Sequence, residues 1–212
     1  MSNYSSHPQF FVSVDCIVFG FNKGSLQVLI HQRPYSPGFG EMSLIGGFVE
    51  KEESIDISAR RILKEFTGLD SVYMKQLATF GEVERDPGER VISILYYVLI
   101  NVDKYDNNLS EIHNAKWVDV NTIPNLCFDH NKMVEMARTS LGAAIKVEPI
   151  AKYLLPKYFT LSHLQALHES IFNTPIDKRN FRRSIAEKDY IKATDMIDKD
   201  SSKRGATLYT FD

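Results

Sequence analysis

Cysteine is scarce: Cys16 and Cys127 are the only two in 212 residues. Two cysteines make no disulfide framework, and the simpler reading is two small apolar side chains in a reducing compartment. Long apolar runs are also missing. The longest, Val91 to Val102, spans 12 residues and includes Ser93 and Asn101, whereas a membrane-spanning helix needs about 18. Met1 to Gln9 is polar and lacks the apolar core of a signal peptide. No membrane partner is expected, and the chain reads as cytoplasmic. Net charge of one sign is absent too: the total is −2, which alone points to neither nucleic acid nor membrane. No internal repeat or low-complexity tract is visible. What is present is an ordinary globular composition, 43% hydrophobic and 25% charged. The length allows one large domain or two small ones.

The small net charge hides an asymmetry. Residues 1–150 carry 14 Lys and Arg against 19 Asp and Glu, a net of −5. Residues 151–212 carry 11 against 8, a net of +3. A change of sign between halves suggests two modules with different partners. Pro149 and Pro156 bracket the change, and proline favours a connector there. The predicted domains are 1–148 and 149–212.

In the first module, Phe10 to Gly20 is β-branched and aromatic and ends at glycine, which predicts a strand. Leu26 to Gln32 follows a turn as the second arm of a hairpin. Met42 to Val49 reads as a short strand around Gly46-Gly47. Ser54 to Phe66 has the helical period, with Ser54 as N-cap and Gly68 as the C-terminal stop. Val91 to Val102 predicts a strand buried on both faces. Trp117 to Val120 is a further strand, and Asp129 to Ile145 a helix. A mixed sheet with helices packed on it follows.

One spacing is specific. Gly47, Glu53, Arg61, Leu63, Glu65, Gly68 and Leu69 stand at the intervals of Gly-x5-Glu-x7-Arg-Glu-U-x-Glu-Glu-x-Gly-U, with U aliphatic. This pattern resembles the Nudix box, and seven of its nine defined positions match. In Nudix hydrolases a glutamate trio spaced i, i+3, i+4 shares a helix face and holds Mg²⁺ against a diphosphate. Here the first and third of those positions are Ile62 and Phe66. Only Glu65 remains, so the resemblance implies a degenerate box, no catalytic residue, no resident metal or cofactor, and no enzyme activity. Arg61 and Glu65 are expected to form an i,i+4 ion pair, and Gly46-Gly47 to persist for loop geometry.

A pocket without its metal can still bind. Glu82 to Arg90 surrounds a Pro87-Gly88 turn with charge. It is either a solvated hairpin tip or a segment whose Arg85, Asp86 or Arg90 closes over a ligand. Asp129-His130 can serve simply as an N-cap. In the second module, Leu161 to Phe172 is an amphipathic helix capped by Thr160 or Ser162. A second helix begins at Asp177 and carries Lys178, Arg179, Asn180, Arg182 and Arg183 opposite Phe181 and Ile185. Tyr190 to Ile197 and Ala206 to Phe211 form a hairpin around Lys203 and Arg204. This order resembles a winged helix-turn-helix, whose second helix enters the major groove and whose wing reaches the backbone or minor groove.

Together the halves resemble the Nudix-related transcriptional regulators, closest to their arabinose-responsive type. The expected fold class is α+β, a Nudix-like mixed α/β/α sandwich followed by a winged helix-turn-helix. The resemblance implies a homodimeric repressor on a palindromic operator. Lys178, Arg179, Asn180, Arg182, Arg183, Lys203 and Arg204 are the DNA-binding candidates. Arg33, Glu41, Arg85 and Asp86 are the ligand-binding candidates. Because metal carboxylates are missing and the module is acidic, a neutral sugar such as L-arabinose is the favoured effector. ADP-ribose is the alternative, held by Arg33, Arg85 and Arg90; a Mg²⁺-dependent hydrolase of nucleoside diphosphate derivatives is the other.

Overall fold

The structure, a computed structural model, describes residues 3–69, 71–104, 112–199 and 205–212. Among these described residues, nine strands and four α-helices are followed in chain order. They are β1 (Phe11–Asn22), β2 (Ser25–Gln32), β3 (Met42–Ser43), β4 (Ile45–Phe48), α1 (Ile55–Thr67), β5 (Tyr73–Phe80), β6 (Val91–Ile100), β7 (Ala115–Asp119), α2 (His130–Val147), α3 (Leu161–Phe172), α4 (Lys178–Ala186), β8 (Ile191–Asp198) and β9 (Ala206–Phe211).

Strands β1 to β7 form one sheet in the order β3-β2-β1-β6-β5, with β4 also on β1 and β7 on β2. Among the described strands only β1 and β6 run parallel, paired from Phe11 with Val91 to Gly20 with Ile100. Both are nearly continuous apolar segments, and helices cover both faces of the sheet at this point. On one face α1 lays Ala59, Ile62, Leu63 and Phe66 against Val14, Val18 and Ile94. On the other, α2 packs Met133, Val134, Ala137 and Leu141 against Ile17, Leu95 and Tyr97. Ser54 caps α1 by accepting from the Ile57 N–H, and Gly68 ends it in the left-handed region at φ 70°, as the sequence predicts.

Two sequence readings need correction. The strand expected over Met42 to Val49 is two strands, because its ends pair with different neighbours: β3 with β2, β4 with β1. Gly46 and Gly47 therefore lie within a paired strand rather than a loop. Their reason is close approach: a Cβ on Gly47 would stand 2.9 Å from Ile62 Cδ1, and one on Gly46 would strike Asp15. The connector near Pro149 is not a loose linker either. Ile150, Ala151, Leu154 and Leu155 are buried in the cluster that runs from Leu26 and Met133 into the second module at Leu164, Leu167 and Ile171.

The second module is α3, α4 and the β8–β9 hairpin. Thr160, not Ser162, caps α3, and Asp177 caps α4. Phe159 ties the connector to the hairpin through a bridge to Tyr209 and a stack on Phe211. The end of α3 is fixed to the first module by three hydrogen bonds. Arg138 donates to the carbonyls of Ile171 and Ser170 at 2.8 and 2.9 Å, and the Leu26 N–H donates to Ser170 Oγ at 2.6 Å. Fold class and order of modules are those expected from the sequence.

Candidate functional site

An acidic residue in a buried strand must be compensated. Asp15, in β1, accepts a hydrogen bond from Ser93 Oγ on β6 at 2.5 Å. Arg85, from the charged segment after β5, places Nη2 3.5 Å from Asp15 and holds Asp129 through Nε and Nη2 at 3.0 and 2.8 Å. The Arg85 side chain is only 3% exposed, so its charge is spent on two carboxylates. Asp129 stands at the N-cap of α2 but makes no side-chain cap hydrogen bond. It serves the arginine instead, which corrects the N-cap expectation.

His130 follows on the same turn. Its Nδ1 accepts from the Leu44 N–H at 3.2 Å, leaving the proton on Nε2, which lies 3.7 Å from Asp15. Burial pulls its pKa below the ordinary value although Asp15 and Asp129 oppose the shift. Burial and then the Arg33 charge pull His31 down to about 4. Both imidazoles are neutral near neutral pH.

Arg33 is placed differently. Its Nε donates to the Pro37 carbonyl at 2.9 Å, and its guanidinium stands 4.9 Å from the Phe128 ring and 5.1 Å from the Tyr35 ring. It joins no ion pair among the described residues. Asp15, Arg33, Arg85, Asp86 and His130, with Gly46 and Gly47, line one cavity of about 100 Å³. Arg85 and Phe128 also line an adjoining open groove of about 1190 Å³, where Glu41 lies. The structure thus brings Arg33, Arg85 and Asp86 together and sets Glu41 beside them rather than among them. Arg90 lies apart, over Phe10 and bonded to the carbonyls of Gly81 and Glu82. The sequence reading missed Asp15 and Phe128 and gave His130 too small a part. A lone acid inside Phe10 to Gly20 was the available signal.

The Nudix-box residues stand on the α1 side. Arg61 bonds Glu53 through Nε at 3.0 Å and also donates to the Phe48 carbonyl. The hydrogen bond from Arg61 holds the Glu53 carboxyl down to about 2. The expected Arg61–Glu65 pair is thus replaced by an Arg61–Glu53 brace across the turn from β4 into α1. Glu65 is exposed. Ile62 is 2% and Phe66 9% exposed, and Phe66 packs between the rings of His31 and His113. Two apolar side chains stand where two carboxylates would be needed, and the remaining glutamate faces solvent. This donor set does not fit the Mg²⁺ of a Nudix hydrolase.

In the second module, α4 buries Phe181 and Ile185. Lys178 and Arg182 line a groove with the start of α3 and the β9 edge. Asn180 and Arg183 lie on the other flank, toward the end of α2. The basic side chains therefore straddle the helix rather than share one stripe. Lys203 and Arg204 lie outside the described residues. No helix among the described residues is long and apolar enough to cross a membrane.

Comparison with known proteins matches a NUDIX domain over residues 9–137 and an NrtR DNA-binding winged helix domain over residues 151–211. The chain is 33% identical over 211 residues to the ADPR responsive transcriptional repressor NtrR of Acinetobacter baylyi, covering 98% of this chain and 84% of that one. It is 29% identical to Shewanella oneidensis NrtR in complex with a 27mer DNA, at a TM-score of 0.84 over 95% of this chain and 93% of that chain. It is 27% identical to the NUDIX domain of the same protein complexed with ADP ribose, at a TM-score of 0.53 over 66% of this chain and 94% of that one. The arabinose-responsive type expected from the sequence finds no support among these relatives.

Proposed function

The chain belongs to the Nudix family, in the branch that joins a NUDIX domain to an NrtR-type DNA-binding winged helix, and from that premise we propose that it is an ADP-ribose-responsive transcriptional repressor. Residues 1–148 bind the effector and residues 149–212 bind operator DNA. Two chains form a homodimer on a palindromic operator, each half-site read by α4.

The observation that carries the ligand class is the charge pattern of the cavity. Arg85 is neutralised by Asp15 and Asp129, which leaves Arg33 as the cavity cation that joins no ion pair among the described residues. A diphosphate supplies the missing negative charge, and arginine binds such oxygens through paired N–H groups. The guanidinium lies over the rings of Tyr35 and Phe128, which help to hold it in place. A neutral sugar would leave that charge uncompensated. The module's net of −5 misled because Asp15 and Asp129, beside the cavity, are already paired with Arg85. This reading is supported by the full-length likeness to a repressor described as ADPR-responsive and by the likeness to a NUDIX domain complexed with ADP ribose.

The protein binds its ligand without hydrolysing it, because Ile62 and Phe66 cannot ligate a cation. Lys178, Arg179, Asn180, Arg182, Arg183, Lys203 and Arg204 contact the operator. Calorimetry of the full chain tests the ligand assignment. ADP-ribose binds and L-arabinose does not, and ADP-ribose incubated with the protein and Mg²⁺ is recovered intact. Steady turnover abolished by Glu65→Gln would place the chain among the hydrolases instead.

A further inference from the structure

A second cavity lies where the two modules meet. It measures about 800 Å³, within the range of small-molecule sites. Its walls come from the end of α2 and from α3 and α4. Leu164, Phe172, Phe181 and Ile185 give it an apolar lining. Among these stands His168, which packs against the Phe172 and Phe181 rings and hydrogen-bonds to none of the described residues. Burial, then the nearby Lys188 charge, pulls its pKa down to about 4. The imidazole is therefore neutral and presents one N–H donor and one acceptor. Half-buried against these two rings, the imidazole lines the cavity and can offer that donor to a ligand inside it.

The rim supplies charge. Lys188 Nζ reaches the Lys146 carbonyl at 3.1 Å, and Lys146 Nζ stands 4.7 Å over the Phe172 ring, so two ammonium groups flank the same wall. Of the two carboxylates that also line the cavity, Glu148 pairs with Lys75 outside it, and Glu187 remains. Arg183 adds a third cation. We propose that this interdomain cavity is a second small-molecule site, which takes an amphipathic anion: an apolar body between Phe172, Phe181 and Ile185, and an acidic head toward Lys146 and Lys188 with His168 donating to it. The site is separate from the Arg33 cavity and does not depend on the identity of that ligand. Its occupant rests on Phe181 and Ile185, the buried face of the DNA-reading helix.

The probe is 8-anilinonaphthalene-1-sulfonate, which has this chemistry and brightens in apolar surroundings. Added to the folded full chain, it binds saturably, one per chain. Among the six histidines, the imidazole resonance of His168 shifts, and transfer contacts appear between the dye and the Phe172 and Phe181 rings. His168→Leu keeps the bulk, removes the donor and weakens dye binding about fivefold, the scale of one hydrogen bond. Lys188→Met weakens it similarly, and the exposed His163→Leu leaves it unchanged. ADP-ribose binding is the same in all three variants. Should His168→Leu fail to fold, the wild-type shift and ring contacts together with Lys188→Met decide. The proposal is overturned by absence of saturable binding, by an unmoved His168 resonance, or by dye affinity that falls as protein concentration rises, which would make a second copy the occupant.

Discussion

At the scale of single residues, Arg33 and Arg85 look equivalent in the sequence and are not. Arg85 is locked between two carboxylates, whereas the charge of Arg33 is unpaired among the described residues. Arg33→Met should weaken ADP-ribose binding by about 1.5–3 kcal/mol, the scale of a hydrogen bond to a charged group, with little change in urea-induced unfolding. Calorimetry and denaturation on the same variant check both halves. The buried histidines set the pH response. His31 and His168 are pulled down to about 4 and His130 below its ordinary 6.5, so each takes up a proton more readily when unfolded. The contribution of His31 and His168 to stability is complete above about pH 6.5 and is lost as pH falls toward about 4, with a slope of up to ~1.4 kcal/mol per unit for each, and His130 acts in the same direction. Unfolding measured across that window should follow this decline, and a flat profile would contradict the neutral, buried placement. Nothing in the sequence separates the two arginines. The partners Asp15 and Asp129 lie 70 and 44 residues from Arg85, and only the fold brings them together.

At the scale of elements, the helices are readable because their signals are local. Ser54, Gly68, Thr160 and Asp177 sit at the ends of regular apolar periods, and all four act as caps. Asp177→Ala should lower stability by about 1 kcal/mol and, by loosening the first turn of α4, weaken operator binding as well. Thermal unfolding and anisotropy check the two effects. Strand β5 gives no comparable signal, since Tyr73–Phe80 is a half-buried edge strand with a bulge between Gln76 and Ala78 and its alternation is broken. The split between β3 and β4 depends on which neighbour each piece finds, which is non-local information. On α4 the charges are plain in the sequence, while the structure divides them between two flanks. Arg182→Ala with Arg183→Ala should flatten the salt dependence of operator binding by about two units of log K per log salt, one for each phosphate no longer neutralised. An unchanged slope would remove these two from the interface.

At the scale of the whole molecule, the change of charge sign near residue 150 marks the two modules, and the structure joins them more closely than a proline-bracketed connector suggests. One apolar cluster runs through Leu26, Met133, Leu154 and Leu167. Helix α2 begins at the Arg33 cavity with His130 and ends against the winged-helix module, with Arg138 holding the end of α3 on the way. A ligand that changes the setting of α2 therefore bears directly on α3 and α4. It regulates only if it favours the arrangement that does not fit the operator. The decisive measurement is fluorescence anisotropy of a labelled operator duplex bound by the full chain at fixed salt, titrated with ADP-ribose and, separately, with L-arabinose. Release by micromolar ADP-ribose, with none by L-arabinose, is the predicted result; release by L-arabinose while ADP-ribose leaves the complex intact would contradict it.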